Sequence, residues 1–393
     1  MFINELPEEC LLIIFGLINE LDDLLNCYKG KFILNKISTK WSHLIAERTR
    51  KVKYLIEHRD WWNYEPSLSY PFDYVYYQTE EPIDGTCLST LFPNLSIADF
   101  AGLREKVKHE DLVTLVKNIK SFKGLIDRVY RDEESIFRHC GQLEMVSTDN
   151  IELCILEDGI KQLHLENRNL HVRDFKQNAH YLPNLERLHI YLDGSWSDSY
   201  YDGPKLKRLK ILELFLFVDC FRDIYYGFQF MDSCPNLQSA HISLQYDHIF
   251  VDESYKNESL QDLVIEFYRD DCYESFDWDG WKRLFMKYPN LKHLAMCSFK
   301  NLENEHVEQI VRILPNLVLF AVRGCPKVIQ EAVQSGRSIK FYFDENYPYR
   351  ITELDWPHLS TKREKISQGF DFMKHCFLKD FDRLSTFLIS NED

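Results

Sequence analysis

At 393 residues the chain is too long for one ordinary compact domain and long enough to bury a large core. Hydrophobic residues at 45% and aromatics at 14% mark a folded protein and exclude a disordered one. A formal net charge of −15 excludes generic binding to DNA or RNA, which needs basic surface, and favours a basic partner.

The first element lies within residues 3–46. Pro7 suits the first position of a helix, where its missing N–H costs nothing, and Glu8 and Glu9 favour the positive end of the helix dipole. Leu11, Ile14, Phe15 and Ile18 recur at helical spacing. Asp22 and Asp23 are placed to cap a second helix carrying Leu24, Leu25 and Cys27, and Trp41 and Leu44 follow on a third helical pattern. About fifty residues bury this much apolar surface poorly by themselves, so part of it awaits a partner.

The pattern Leu6-Pro7-x-Glu9-x-Leu11-x-x-Ile14-Phe15-x-x-Ile18, then Asp23-Leu24-Leu25, then Lys40-Trp41, resembles an F-box. The gap from Asp23 to Trp41 is longer than in the family pattern, through Lys29–Leu34, and Ile37-Ser38-Thr39-Lys40 replaces the usual Val-Cys-Lys. The resemblance implies a three-helix unit over residues 1–50 that docks on a Skp-type adaptor, and through it on a cullin. It implies Leu6, Pro7, Leu11, Ile14, Phe15, Ile18, Leu24, Leu25 and Trp41 as the adaptor-binding residues.

Residues 51–90 read as a connecting region. They carry an aromatic run, Trp61 to Tyr77, that Pro66 and Pro71 break, and these rings are expected to pack a joint between domains. From about residue 91 to 345 the chain repeats itself. The phrase Pro183-Asn184-Leu185-x-x-Leu188-x-Ile190 returns at Pro235, Pro289 and Pro315. Copies without Pro-Asn begin at Ile160, Leu209 and Leu260, and weaker ones at Leu95 and Leu143. The lead residues 160, 185, 209, 237, 260, 291 and 317 are 23 to 31 apart, the period of leucine-rich repeats. The last copy, Leu317-x-x-Phe320-x-Val322-x-x-Cys325, resembles the cysteine-containing subtype common in F-box proteins.

Alternation in each copy predicts a short strand, and the helical patterns Val172–Leu182, Asp223–Ser233, Trp278–Tyr288 and Glu303–Leu314 precede the Pro-Asn-Leu phrases. The expected fold is therefore α/β: a three-helix F-box, then a leucine-rich-repeat solenoid with a parallel concave sheet and convex helices. Ile339, Phe341 and Phe343 read as a last strand. Over residues 346–393, Phe370, Met373, Phe377, Phe381, Leu384 and Leu388 trace an amphipathic helix, read as an end cap or, alternatively, as a partner-binding helix or a tail folding onto the concave face.

Between the core positions, His164, Glu166, His189, Tyr191, Glu213, Phe215, His241, Ser243, Glu266 and Arg323 are expected to face the concave wall, in columns that cross the sheet with members on neighbouring strands about 4.8 Å apart. Imidazoles and carboxylates are metal-ligand types, yet a row on an open wall spreads its ends too far for a closed shell. A polar and aromatic recognition surface for a target protein is the better reading. The acidic, aromatic run Arg269–Asp279 and the loop Gly194–Tyr201 are secondary candidates for partner contact.

No GxSxG, HExxH, GxxxxGK[ST] or GxGxxG motif occurs, so neither an enzyme nor a cofactor is implied. Eleven cysteines, irregularly spaced and without a CxxC pair, favour free thiols in a reducing compartment. No apolar run approaches a membrane span and no basic-then-apolar leader opens the chain, so cytoplasm or nucleus is expected. The resemblance implies a substrate-recognition subunit of a ubiquitin ligase that presents its target for ubiquitination and proteasomal degradation. The alternative is a repeat scaffold or inhibitor with no ligase role, and a third class is an enzyme using the His164–His241 column with bound metal.

Overall fold

The computed structural model describes residues 6–33, 39–57, 74–77, 82–127, 136–151, 159–165, 167, 169–193, 200–217, 224–245, 248–267, 276–328 and 339–343. The chain divides into two compact units between Gly159 and Ile160.

The first unit opens with α1 (Glu8–Gly16), α2 (Leu21–Ile33) and α3 (Thr39–Arg50). Pro7 stands at the cap of α1 rather than inside it, and its carbonyl accepts from Leu11 N at 3.2 Å. Asp22 and Asp23 fall in the first turn of α2, where they complement the dipole without capping the helix. Of the stretch Lys29–Leu34 that lengthens the gap from Asp23 to Trp41, Lys29–Ile33 extend α2, and Leu34 lies outside the described residues. Buried Arg48 of α3 donates to Ile18 O at 3.1 Å and Asn19 Oδ1 at 2.8 Å, placing a cation at the C-terminal end of α1.

Five parallel strands follow: β1 (Tyr54–Glu57), β2 (Tyr74–Tyr77), β3 (Ile97–Asp99), β4 (Gly124–Ile126) and β5 (Met145–Thr148). Their spatial order is β2-β1-β3-β4-β5, with α4 (Leu88–Leu91) and α5 (His109–Asn118) in the connections. The region expected to connect two domains thus contributes two strands. The helices are tied to it, since Tyr76 N donates to Asn19 O at 2.8 Å. Of the aromatic run, Trp61, Trp62, Tyr64, Tyr70 and Phe72 lie outside the described residues. Tyr77 is core: its hydroxyl donates to Asp99 O and accepts from Leu103 N, both at 3.1 Å.

The second unit holds eight parallel strands in sequence order: β6 (Gln162–Leu165), β7 (Arg187–Asp193), β8 (Ile211–Phe217), β9 (Ser239–Leu244), β10 (Asp262–Phe267), β11 (His293–Cys297), β12 (Leu319–Arg323) and β13 (Lys340–Phe343). Between them lie α6 (Val172–Asn178), α7 (Gly227–Asp232), α8 (Trp278–Met286) and α9 (Asn304–Ile313). Each falls within a helical pattern read from the sequence. The amphipathic segment 346–393 lies outside the described residues.

One register runs through both units. Every lead residue is buried and its strand begins two positions later, from Ile160 and Gln162 to Leu317 and Leu319. The weak copies at Leu95 and Leu143 obey it, as do two copies the sequence reading missed, led by Val52 and Phe122. In the second unit positions three and five after leads 160 to 317 are buried apolar residues, as in Leu263 and Ile265 or Leu294 and Met296. Within each unit the carbonyl one past a lead accepts two N–H groups from the next repeat, as Lys53 O takes Ser96 N and Ile97 N at 2.7 and 3.1 Å, and Gln261 O takes Lys292 N at 2.8 Å and His293 N at 3.0 Å. A leucine-rich-repeat α/β solenoid is therefore the fold.

The asparagine of Pro-Asn-Leu has a job that alternation does not reveal. Its Nδ2 donates to the carbonyl two before the preceding lead: Asn236 to Lys207, Asn290 to Glu258 and Asn316 to Pro289, at 2.7, 2.9 and 3.0 Å. Asn94 does the same to Arg50 at 2.8 Å, so the end of α3 occupies a repeat turn and α3 serves as the helix of the first repeat. Asn290→Ala should lower the unfolding free energy by about 1 kcal/mol, the net worth of one such bond, in a urea titration. An unchanged midpoint would show that the turns stack without it.

Candidate functional site

Two surfaces carry the sequence-derived candidates. The first is α1. Its residues are apolar all round, so local spacing does not say which side turns inward. Leu11 and Phe15 are buried in the first unit, and Leu24 and Leu25 of α2 join them. Pro7 and Ile14 face solvent, while Leu6 and Ile18 are half-buried. Trp41 lies in α3, but its side chain is outside the described residues. The most exposed apolar side chains are two that sequence reasoning passed over, Ile13 at 63% and Leu17 at 68%. With exposed Cys10 and Ile14 they form a stripe at spacings of three and four, a signal present in the sequence but masked by the competing stripe at 11, 15 and 18.

Four apolar side chains on one face of one helix make a patch that water penalises and a partner would relieve. His43 of α3 lies 3.9 Å from Glu8 at its polar edge, both well exposed. This is the arrangement of an interface with an apolar centre and a charged rim.

The second surface is the sheet face opposite the buried lead positions of the second unit. The register confirms the alignment of the expected columns. His164 pairs with His189, His189 with Glu213 and Glu213 with His241. Beside them Tyr191, Phe215, Ser243, Glu266, Cys297 and Arg323 run in register across successive strands. Glu166 lies outside the described residues.

The side chains pair across neighbouring strands. The His164 and His189 rings stack with centroids 4.3 Å apart, and His189 Nδ1 lies 2.7 Å from Glu213 Oε2. His241 Nε2 lies 3.1 Å from Glu266 Oε2, and Tyr191 stacks on Phe215 at 3.9 Å. A third column, two after the lead, was overlooked although period two puts it on the same face. In it His293 Nδ1 lies 2.5 Å from Asp262 Oδ1. Among the described residues no group of three or more His, Cys, Asp or Glu is arranged to hold a metal ion.

The open wall expected from the alternation is closed over. Gln162, His164, His189, Glu213, Phe215, Ser239, His241, Ser243, Asp262 and His293 are all exposed by 5% or less. Among the described candidates Tyr191, Glu266 and Arg323, toward the carboxyl ends of their strands, keep partial exposure, as does Arg187 in the third column. Of the two candidate loops, the acidic one enters α8, where Asp277 caps the helix by accepting from Gly280 N at 3.0 Å. Tyr201, from the other, is buried, with its hydroxyl donating to Pro204 O at 2.8 Å.

A smaller cluster sits in the first unit, where buried Asp99, Asp127 and Asp149 gather at the carboxyl ends of β3, β4 and β5 and Arg104 pairs with Asp127. Burial pushes the Asp127 carboxyl up to about 7 from 3.8, and the Arg104 guanidinium offsets only part of this. A raised carboxyl stabilises the fold fully below its unfolded value and loses that contribution as pH rises through its folded value. The stability of wild type relative to Asp127→Asn should therefore fall by roughly 2–4 kcal/mol between about pH 4 and 7. Parallel pH-dependent melts of the two proteins would show the difference, and curves of equal slope would refute it.

No protein-family model and no curated protein matches the sequence. Among solved structures, one chain of the yeast Rad7–Elc1 complex aligns at 12% identity and a TM-score of 0.36, over 66% of this chain and 80% of that one. A chain of the TLR13–ssRNA13 complex aligns at 10% identity and a TM-score of 0.35, over 64% of this chain and 36% of that one. Both scores are low, and the fold stands on the strand register rather than on them. The seven cysteines among the described residues are free thiols, and no helix among those residues is long and apolar enough to cross a membrane.

Proposed function

We propose that this protein is the target-recognition subunit of a cullin-based ubiquitin ligase, held to a Skp-type adaptor by its first helices. The observation that carries the reading is the exposed stripe of Ile13, Ile14 and Leu17 on an α1 whose other side is already buried. A helix that has filled its own core and still presents three large aliphatic side chains is built for a second partner. The F-box pattern names the partner class.

In this reading the chain breaks and makes no bonds. It raises the effective concentration of a target lysine near the charged ubiquitin carrier, for ubiquitination and proteasomal degradation. The target contacts centre on Tyr191, Glu266 and Arg323, the candidates still accessible on the second unit. A charge of −15 favours a basic target, and free thiols suit the cytoplasm or nucleus. Reconstitution tests it: the purified chain should co-elute with a Skp-type adaptor and a cullin and support ubiquitin chain formation. Failure to co-elute at micromolar concentrations would leave the runner-up, a repeat scaffold or inhibitor, which the closed sheet face favours.

A further inference from the structure

One turn of the second unit runs against the charge of the chain. In residues 204–210, Pro-Lys-Leu-Lys-Arg-Leu-Lys, four of seven side chains are cationic and none is acidic, although the chain holds 62 acidic and 47 basic residues. Leu206 and Leu209 are buried and pin the turn, while Lys205, Lys207, Arg208 and Lys210 are exposed. Neighbouring repeats fix its backbone. Leu206 N donates to Ser233 O and Lys210 N to Glu186 O, both at 2.8 Å. Lys207 O accepts from Asn236 Nδ2 at 2.7 Å and Lys210 O from Gln238 N at 2.8 Å. Lys210 pairs with Glu186 at 2.9 Å, and among the described residues no carboxylate pairs with Lys205, Lys207 or Arg208.

The turn also forgoes a bond that its counterparts make. Lys207-Arg208 stands where the copies led by Leu185, Leu237, Leu291 and Leu317 carry Pro-Asn. One before the lead, Asn94, Asn236, Asn290 and Asn316 donate to the carbonyl two before the preceding lead. Gln142 and Ser259 do the same, to Lys120 O at 2.9 Å and Pro235 O at 3.2 Å. Arg208, at that position, makes no such bond among the described residues. A turn that gives up a stacking bond and gathers uncompensated like charge breaks two local rules at one place, which is where function is expected to reside.

We propose that this turn is a docking site for an acidic segment of a partner protein, a run of aspartate or glutamate side chains received by Lys205, Lys207 and Arg208. Cations on a pre-set backbone meet such a run without first ordering the turn, which lowers the entropy cost of binding. Length decides between a short acidic segment and a nucleic acid. Screening confines each charge to about 8 Å at physiological salt, so a short segment meets only the turn. A long polyanion also meets the rest of a chain whose net charge is −15, and is repelled there. The site does not rest on the ligase reading. If that reading holds as well, an acidic segment becomes a feature of the target.

Fluorescence anisotropy of a labelled oligoglutamate peptide tests this on the full chain, with no adaptor present. The peptide should bind, weaken several-fold as salt rises from about 50 to 200 mM, and lose at least about tenfold in affinity in Lys205→Glu/Lys207→Glu/Arg208→Glu. Those side chains are exposed, so the melting midpoint should move little. Lys51→Glu/Arg312→Glu/Lys327→Glu makes the same change in net charge at exposed, paired cations and should alter binding by less than about twofold. In Arg208→Asn, regaining the turn bond should raise the melting midpoint by about 2 °C while binding falls about threefold. Equal weakening by the two triple variants, unchanged binding in Arg208→Asn, no binding by the wild-type chain, or tighter binding of an oligouridylate of equal charge would each overturn the site.

Discussion

Replacing Ile13 and Leu17 together by aspartate should leave the chain folded and abolish its hold on a Skp-type adaptor. Both side chains are mostly in water, at 63% and 68% exposure, so their loss removes little from the core. Surface changes of this kind shift stability by about 0.5 kcal/mol or less. At an interface the same residues are central apolar anchors, each worth on the order of 2 kcal/mol, and a buried unpaired carboxylate adds a desolvation cost. The pair should weaken adaptor binding by roughly 10³-fold, from about 4 kcal/mol. Titration calorimetry against purified adaptor, with a melting curve for each protein, reads both quantities. Leu11→Asp/Phe15→Asp is the contrast: those side chains are buried within the first unit, so it should unfold that unit and abolish binding indirectly. If the Ile13/Leu17 variant binds as tightly as wild type, α1 is not the docking helix.

Trp281→Ala should be the most damaging single truncation in the second unit, at about 3–5 kcal/mol. The indole is fully buried, with the rings of Phe228, Phe267, Phe285 and Phe299 centred 5.9, 6.3, 6.2 and 5.2 Å away. Those rings come from α7, from β10, from α8 itself and from just beyond β11, so one side chain joins successive repeats. Because each repeat touches only its neighbours, the damage should spread through β9 to β12, while amides of the first unit keep their protection. Hydrogen exchange would locate the loss. Trp281→Phe should cost less than about 1.5 kcal/mol. It keeps most of the ring area and removes an indole N–H that finds no acceptor among the described residues. Equal losses for the two substitutions would mean that the nitrogen is bonded after all.

Much of the fold was legible because its signal is local. Val52 and Phe122 lead their strands as Leu185 and Leu291 do, but each sits in a phrase that lacks Pro-Asn, so only the neighbouring strands identify them. The aligned His164, His189, Glu213 and His241 column followed from period two alone. Sequence alone does not say what lies across from a residue. Leu11 and Phe15, expected as docking residues, are buried in the first unit, and the column expected on an open wall is buried.

What residue order settled here is the repeat: the lead, the strand two positions on, and the helix before the proline. These follow from backbone geometry and from the spacing of apolar side chains along a few consecutive residues. What folding alone settled is which apolar side of α1 turns inward, that α3 doubles as the helix of the first repeat, and that both faces of the second sheet are buried. Burial is a property of two surfaces, and the second surface is supplied by residues far away in the chain, where no local period reaches.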